Sequence, residues 1–171
     1  PWRWYYESGQ IMREENYLNG KREGEFKDFE ADGKLMLHGS FVEGRKEGLW
    51  VYETPEYYEI GNYVNDEPDS LWSSFYMPGK IKHFEGRFTA GEPVGVHTGY
   101  HPNGNKMYTG NYLSGMRDGD WKFFDEDGIN YLTITYKNDI EIKWQGEKIR
   151  PTFEESLRTY NIKIDGDRTQ T

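Results

Sequence analysis

Two histidines, His97 and His101, lie four residues apart, a spacing that on a helix would present both imidazoles to one metal ion. On a strand the same spacing puts them on one face but roughly 13 Å apart, too far for a shared ion. Asp125, Glu126 and Asp127 form the densest acidic run, yet they precede Gly128 and lack the alternating ligands and distal Glu of a calcium loop, so they read as a solvated turn. The chain has no Cys, no nucleophilic triad spacing and no phosphate-cradling glycine loop, and neither a catalytic residue, a cofactor nor a metal is expected. A carboxylate pair for glycoside hydrolysis would assemble in space and leaves no spacing to read. The remaining candidates are recognition residues: Tyr57 and Tyr58, adjacent to each other, with Tyr76 and His101 at comparable positions further on. Such side chains can anchor a protein partner or stack on a sugar ring, and each also fits a purely structural role as a rung of an aromatic ladder.

What must position these residues is a repeat. A five-residue frame recurs as Gly20-Lys21-Arg22-Glu23-Gly24, Gly44-Arg45-Lys46-Glu47-Gly48, Asp66-Glu67-Pro68-Asp69-Ser70, Gly91-Glu92-Pro93-Val94-Gly95 and Gly115-Met116-Arg117-Asp118-Gly119, with starts 24, 22, 25 and 24 residues apart. Two residues after each frame stands an anchor, Phe26, Trp50, Trp72, His97 or Trp121, and Trp2 holds that place one period earlier. Six anchors imply six units. Seven residues beyond the anchor comes a second glycine, Gly9, Gly33, Gly79, Gly104 or Gly128, usually in turn chemistry suited to a hairpin tip, as in Asp32-Gly33, Asn103-Gly104 and Asp127-Gly128; only the third unit, around Pro55, lacks it. A second run then ends in Tyr17, Phe41, Tyr63, Phe88, Tyr112 or Tyr136.

Within the runs the period is two. Trp50 with Tyr52, or Trp121 with Phe123, share one face, while Tyr5, Phe29, Phe75, Tyr100 and Phe124 face the other way. Both faces are therefore expected to carry stacked aromatic ladders, holding a single layer together by contacts between neighbouring units. About twelve strands at ~4.8 Å give a ribbon roughly 55 Å long.

The Gly-x-x-x-Gly-x-Trp link, the Tyr-or-Phe strand and the Asp/Asn-Gly tip resemble the variant MORN repeats of bacterial proteins often labelled antitoxin-like, over residues 1–139. The fold expected is all-β: one elongated, single-layer antiparallel sheet of about six stacked β-hairpin repeats, near 1–23, 24–47, 48–69, 70–94, 95–118 and 119–139, followed by a cap over 140–171. There Asp139-Ile140-Glu141-Ile142-Lys143 departs from the link frame, and Thr152 with Glu155 forms a capping box that opens a short helix to about Tyr160. The resemblance implies a non-enzymatic protein-interaction scaffold with one or more protein partners in a larger assembly. By analogy it belongs to the bacterial cell envelope, periplasmic or outer-membrane associated, as an accessory subunit of an envelope or secretion complex. Alternatives are a carbohydrate or cell-wall binding module and an antitoxin-like cytoplasmic partner.

Composition agrees with a thin sheet. Of 171 residues only 35% are apolar, but 17% are aromatic, and those rings supply the burial that Leu and Ile usually give. A formal charge of −9 repels phosphate backbones and anionic surfaces, so nucleic acid is not an expected partner. Lys21-Arg22 and Arg45-Lys46 are each followed by an acid and read as solvated turns. No run is long and apolar enough to span a bilayer, and no direct membrane insertion is expected. The start at Pro1, already inside a unit, suggests that an N-terminal segment, a signal or a lipid anchor precedes it.

Overall fold

The structure is a computed structural model that describes residues 1–148. The expected helix at Thr152 lies outside them. Alternating residues and turn-forming pairs produce sixteen strands: β1 (Trp2–Tyr5), β2 (Ile11–Glu15), β3 (Tyr17–Leu18), β4 (Lys21–Arg22), β5 (Gly24–Phe29), β6 (Leu35–Val42), β7 (Arg45–Glu53), β8 (Tyr57–Val64), β9 (Glu67–Tyr76), β10 (Ile81–Thr89), β11 (Glu92–Tyr100), β12 (Lys106–Leu113), β13 (Met116–Phe124), β14 (Asn130–Lys137), β15 (Ile140–Trp144) and β16 (Glu147–Lys148). Fourteen of them form one open antiparallel sheet in chain order, and β3 pairs with β4 in a short ribbon where Asn16 and Glu23 interrupt the neighbouring strands. No connection among the described residues crosses over. Every unit packs only on its neighbours, as expected for stacked hairpins, and β15 and β16 carry the sheet into the segment after residue 139.

The links are tight two-residue turns in which both central residues have positive φ, as at Asn19-Gly20 (51° and 79°) and Asn65-Asp66 (52° and 71°). That geometry matches the twist of the flanking strands and explains the Gly, Asn and Asp at these positions. Four of the links are also stitched to the one before: Gly44 N–H donates to Arg22 O, Asp66 to Lys46 O, Gly91 to Pro68 O and Asp139 to Arg117 O, at 2.8–3.1 Å. At the opposite rim the third tip manages without glycine, because the Thr54 hydroxyl accepts from the Tyr57 amide at 3.0 Å.

The anchors are the core. Phe26, Trp50, Trp72, His97 and Trp121 are buried, Trp50 to 1% exposure, whereas Trp2 on the edge strand is 65% exposed. Each anchor pairs across the ladder with the same position of its unit's second strand: Phe26 with Gly39, Trp50 with Gly61, Trp72 with Gly86 and His97 with Gly110. Over that glycine lies the ring of the following unit's anchor, so a Cβ on Gly39, Gly61, Gly86 or Gly110 would fall within Trp50, Trp72, His97 or Trp121 respectively. This close approach brings the ring to the backbone, and the indole N–H of Trp50, Trp72 and Trp121 then donates to the carbonyl of the next residue, Ser40, Asn62 or Asn111, at 3.0–3.2 Å. At the two ends the pattern changes, with Glu15 opposite Trp2 and Ile134 opposite Trp121.

Among the described residues the aromatic ladder runs along one face only. Phe41, Tyr63, Tyr112 and Tyr136 from the second strands fill the gaps between anchors, with edge-to-face pairs such as Phe41–Trp50 (5.0 Å) and Tyr63–Trp72 (5.1 Å). On the other face Tyr5, Phe29, Tyr100 and Phe124 stand opposite Ile11, Leu35, Lys106 and Asn130, and among the described residues the aromatic pair there is Tyr58–Phe75 at 5.9 Å. The expectation of two ladders fails because rings one unit apart are two strands, about 10 Å, from each other and need an aromatic on the intervening strand to touch.

Candidate binding groove

On the anchor face the strands around the third tip form a groove of about 680 Å³ lined by Lys46, Tyr52, Thr54, Tyr57, Glu59, Tyr63, Ser74 and His83. It opens there because Ser74 occupies the position held one unit earlier by Tyr52, two residues after the anchor. Strand alternation sets the floor: Tyr57, Glu59 and Tyr63 of β8 point the same way, with Glu59 between Tyr52 of β7 and Ser74 of β9.

One end is a chain of polar contacts over aromatic rings. Lys46 Nζ lies 4.7 Å from the centroids of Trp50 and Tyr63 and 5.4 Å from Tyr52, and donates to Tyr52 Oη at 2.8 Å; Tyr52 Oη in turn donates to Tyr63 Oη at 3.3 Å. Burial pushes the Tyr63 phenol up to about 12, helped by its bond from Tyr52. Both hydroxyls therefore stay protonated. At the other end Tyr57, 43% exposed, leans on Tyr76 (5.8 Å) and His83 (5.1 Å), and the His83 Nδ1 shares a hydrogen bond with the Ser74 hydroxyl at 2.9 Å. Burial lowers the His83 pKa, favouring the neutral ring. Between the two ends stands Glu59, which has neither a hydrogen bond nor an ion pair among the described residues. Its side chain remains open to solvent, yet the groove walls strip enough water to raise its pKa.

Of the four recognition residues expected from sequence, the structure brings Tyr57 and Tyr76 together. Tyr58 faces the opposite side, against Phe75, with Lys80 4.5 Å from its ring centroid. His101 lies far along the sheet. Tyr76 and His101 also share a structural role, each stitching one tip to the next unit. Tyr76 Oη donates to Tyr100 O at 3.0 Å and His101 Nε2 to Phe124 O at 2.9 Å, as Tyr6 Oη does to Phe29 O. No group of three or more His, Cys, Asp and Glu side chains able to hold a metal exists among the described residues.

Lys46, Tyr52, Glu59, Ser74 and His83 are not among the recognition residues expected from the sequence. The period-two alternation places Glu59 beside Tyr57, and this was the available signal; the inward turn of Lys46 left none, because charge beside a glycine looks solvated. Arg22 behaves alike, 5.2 Å from the Phe41 ring centroid and 2.8 Å from the buried Glu15 carboxylate, and so does Arg117, 4.1 Å from Tyr136. One residue of each basic frame thus packs against the core, correcting the expectation of fully solvated turns.

A second, smaller groove of about 360 Å³ lies along the same face between Phe84 and Arg117. No helix among the described residues is long and apolar enough to cross a membrane. Compared with known families, residues 1–19, 22–43, 93–113 and 117–138 match the model of the MORN repeat variant. A search of curated proteins returned no match. The larger groove falls between the matched segments, where the strands persist while the repeat sequence is broken.

Proposed function

Starting from a chain that is built of MORN repeats of the variant family, we propose that it is a non-enzymatic scaffold that holds a protein partner on the anchor face of its sheet, at the groove around Tyr57 and Glu59. The coincidence of that groove with the break in the repeat supports the reading. Positions required for folding follow the period, whereas Tyr57, Glu59, Ser74 and His83 depart from it in the same place and face the same opening. The site spends its polar groups on a surface open along its length, which suits recognition of an extended segment. The proposal extends to the bacterial cell envelope, as an accessory subunit of a larger assembly, by analogy with exported repeat proteins.

Affinity purification of the full chain from its native host, with cross-linking at the groove, tests this. A partner retained by the wild type, and released by Tyr57→Ala at unchanged melting temperature, is the expected outcome. Recovery of a monodisperse monomer without any partner sinks the scaffold, and recovery from the cytosolic fraction sinks the envelope assignment.

A carbohydrate module is the second reading, favoured by the half-exposed Tyr57 ring in the same groove as the Glu59 carboxylate. Binding on a glycan array that is abolished by Tyr57→Ala would establish it in place of the first.

A further inference from the structure

Four cations among the described residues lie against rings of the anchor face, Arg13 from β2 and three that occupy the third position of a link frame: Arg22, Lys46 and Arg117. All but Lys46 also meet a carboxylate, Arg13 with Asp28 at 2.6 Å, Arg22 with Glu15 at 2.8 Å and Arg117 with Asp139 at 2.9 Å. The fold thus repeatedly sets a cation between a ring and an acid. In the two middle links that third position is Pro68 or Pro93, which carries no charge and no reach.

The consequence falls on the groove. Lys46 extends from its link as far as Tyr52 Oη, and the residue equivalent to Tyr52 one unit on is Ser74, the cross-strand neighbour of Glu59. With proline at 68, nothing from the link arrives there. What remains is a ring platform of Tyr57, Tyr76 and His83 next to a carboxylate without a counter-charge among the described residues. Lys46 itself stays at the far end, held by Tyr52 and its three rings.

We propose that the groove receives an arginine or lysine side chain from a basic segment of the partner, its cation lying on the Tyr57 ring and paired with the Glu59 carboxylate. This deepens the scaffold reading by naming what the partner presents. The occupant follows from charge complementarity at two scales: an uncompensated acid between rings locally, and a net charge of −9 that draws basic segments toward the sheet.

The test is titration of the full chain with N-acetyl-arginine methylamide, followed by NMR of the tyrosine and histidine rings. N-acetyl-glutamate methylamide and diacetylchitobiose serve as comparison probes. Saturable perturbation of Tyr57, Tyr76 and His83 by the arginine probe is expected, weakened about fivefold or more in Glu59→Gln and in Tyr57→Ala. Glu126→Gln, the same charge change at a distant tip, should leave the affinity unaltered. The inference is overturned by absence of saturation, by equal affinity of Glu59→Gln and wild type, or by equal perturbation from the glutamate or sugar probe. A native partner that Glu59→Gln still retains would refute the cation pocket while leaving the scaffold intact.

Discussion

The His97 imidazole reaches the Arg87 carbonyl oxygen at 2.8 Å through Nε2, making the bond that the indoles of Trp50, Trp72 and Trp121 make one residue past their glycines. A carbonyl only accepts, so Nε2 carries a proton, and His97 serves as a smaller tryptophan within the ladder formed by Phe84, Phe88 and Tyr112.

That substitution makes stability depend on pH. Burial lowers the His97 pKa below its ordinary 6.5 despite the opposing backbone bonds, so the unfolded chain binds a proton that the folded one resists. Stability then rises with pH across the interval below about 6.5 and is lost as pH falls through it. Urea unfolding of wild type should show a lower midpoint at pH 5.5 than at pH 7.5. In His97→Trp that difference should shrink, with the part due to His83, whose pKa is lowered in the same sense, remaining. An identical pH slope in both proteins would remove His97 from this account.

Gly61→Ala should destabilise by about 2–3 kcal/mol, since its Cβ falls within the Trp72 indole and that ring has nowhere to move. Combining it with Trp72→Ala should cost clearly less than the two single changes added together, because the second removes what the first collides with. Additive unfolding energies would show that the ring can yield.

Ser70 holds φ of 63° where four other links have Gly24, Gly48, Gly95 or Gly119. Left-handed backbone costs a residue with a Cβ about 1 kcal/mol, partly offset by the freedom glycine gains when unfolded. Ser70→Gly should therefore raise stability by about 0.5–1 kcal/mol in chemical denaturation, and a fall would place the strain elsewhere.

Glu15 is 2% exposed and takes the place of the mid-strand glycine in the first unit, held by Arg22 Nε at 2.8 Å and the Tyr17 hydroxyl at 3.0 Å. Arg22→Ala would strand that carboxylate and remove packing from Phe26 and Phe41. A loss of about 2–3 kcal/mol is expected, less than the ~3–5 kcal/mol of a fully buried pair because Arg22 is half exposed. Adding Glu15→Gly should recover part of it, a rescue that calorimetry can read directly.

Much of the architecture can be read from residues alone. The link frames, the tips at Gly9, Gly33, Gly104 and Gly128, and the anchors all appear as fixed spacings along the chain, and local turn chemistry explains them. Gly39, Gly61, Gly86 and Gly110 are different. Each is needed by a ring eleven residues further on, a relation that exists only once two strands lie side by side. The groove was half legible for the same reason. Tyr57 stands out because its unit lacks a tip glycine, and the alternation of side chains already assigns Tyr58 to the opposite face. The convergence of Lys46, Glu59 and His83 depends on three strands and on the small size of Ser74.

The ladder of hydrogen bonds between successive links acts as a ruler for the assembly. Units of 22 and 25 residues sit side by side, yet their links stay in step, so every surplus or missing residue is absorbed at the opposite rim. That rim is the natural place to graft a loop, a reporter or an affinity tag. A single residue inserted at a link, by contrast, would turn the following anchor toward the wrong face and disengage every unit beyond it.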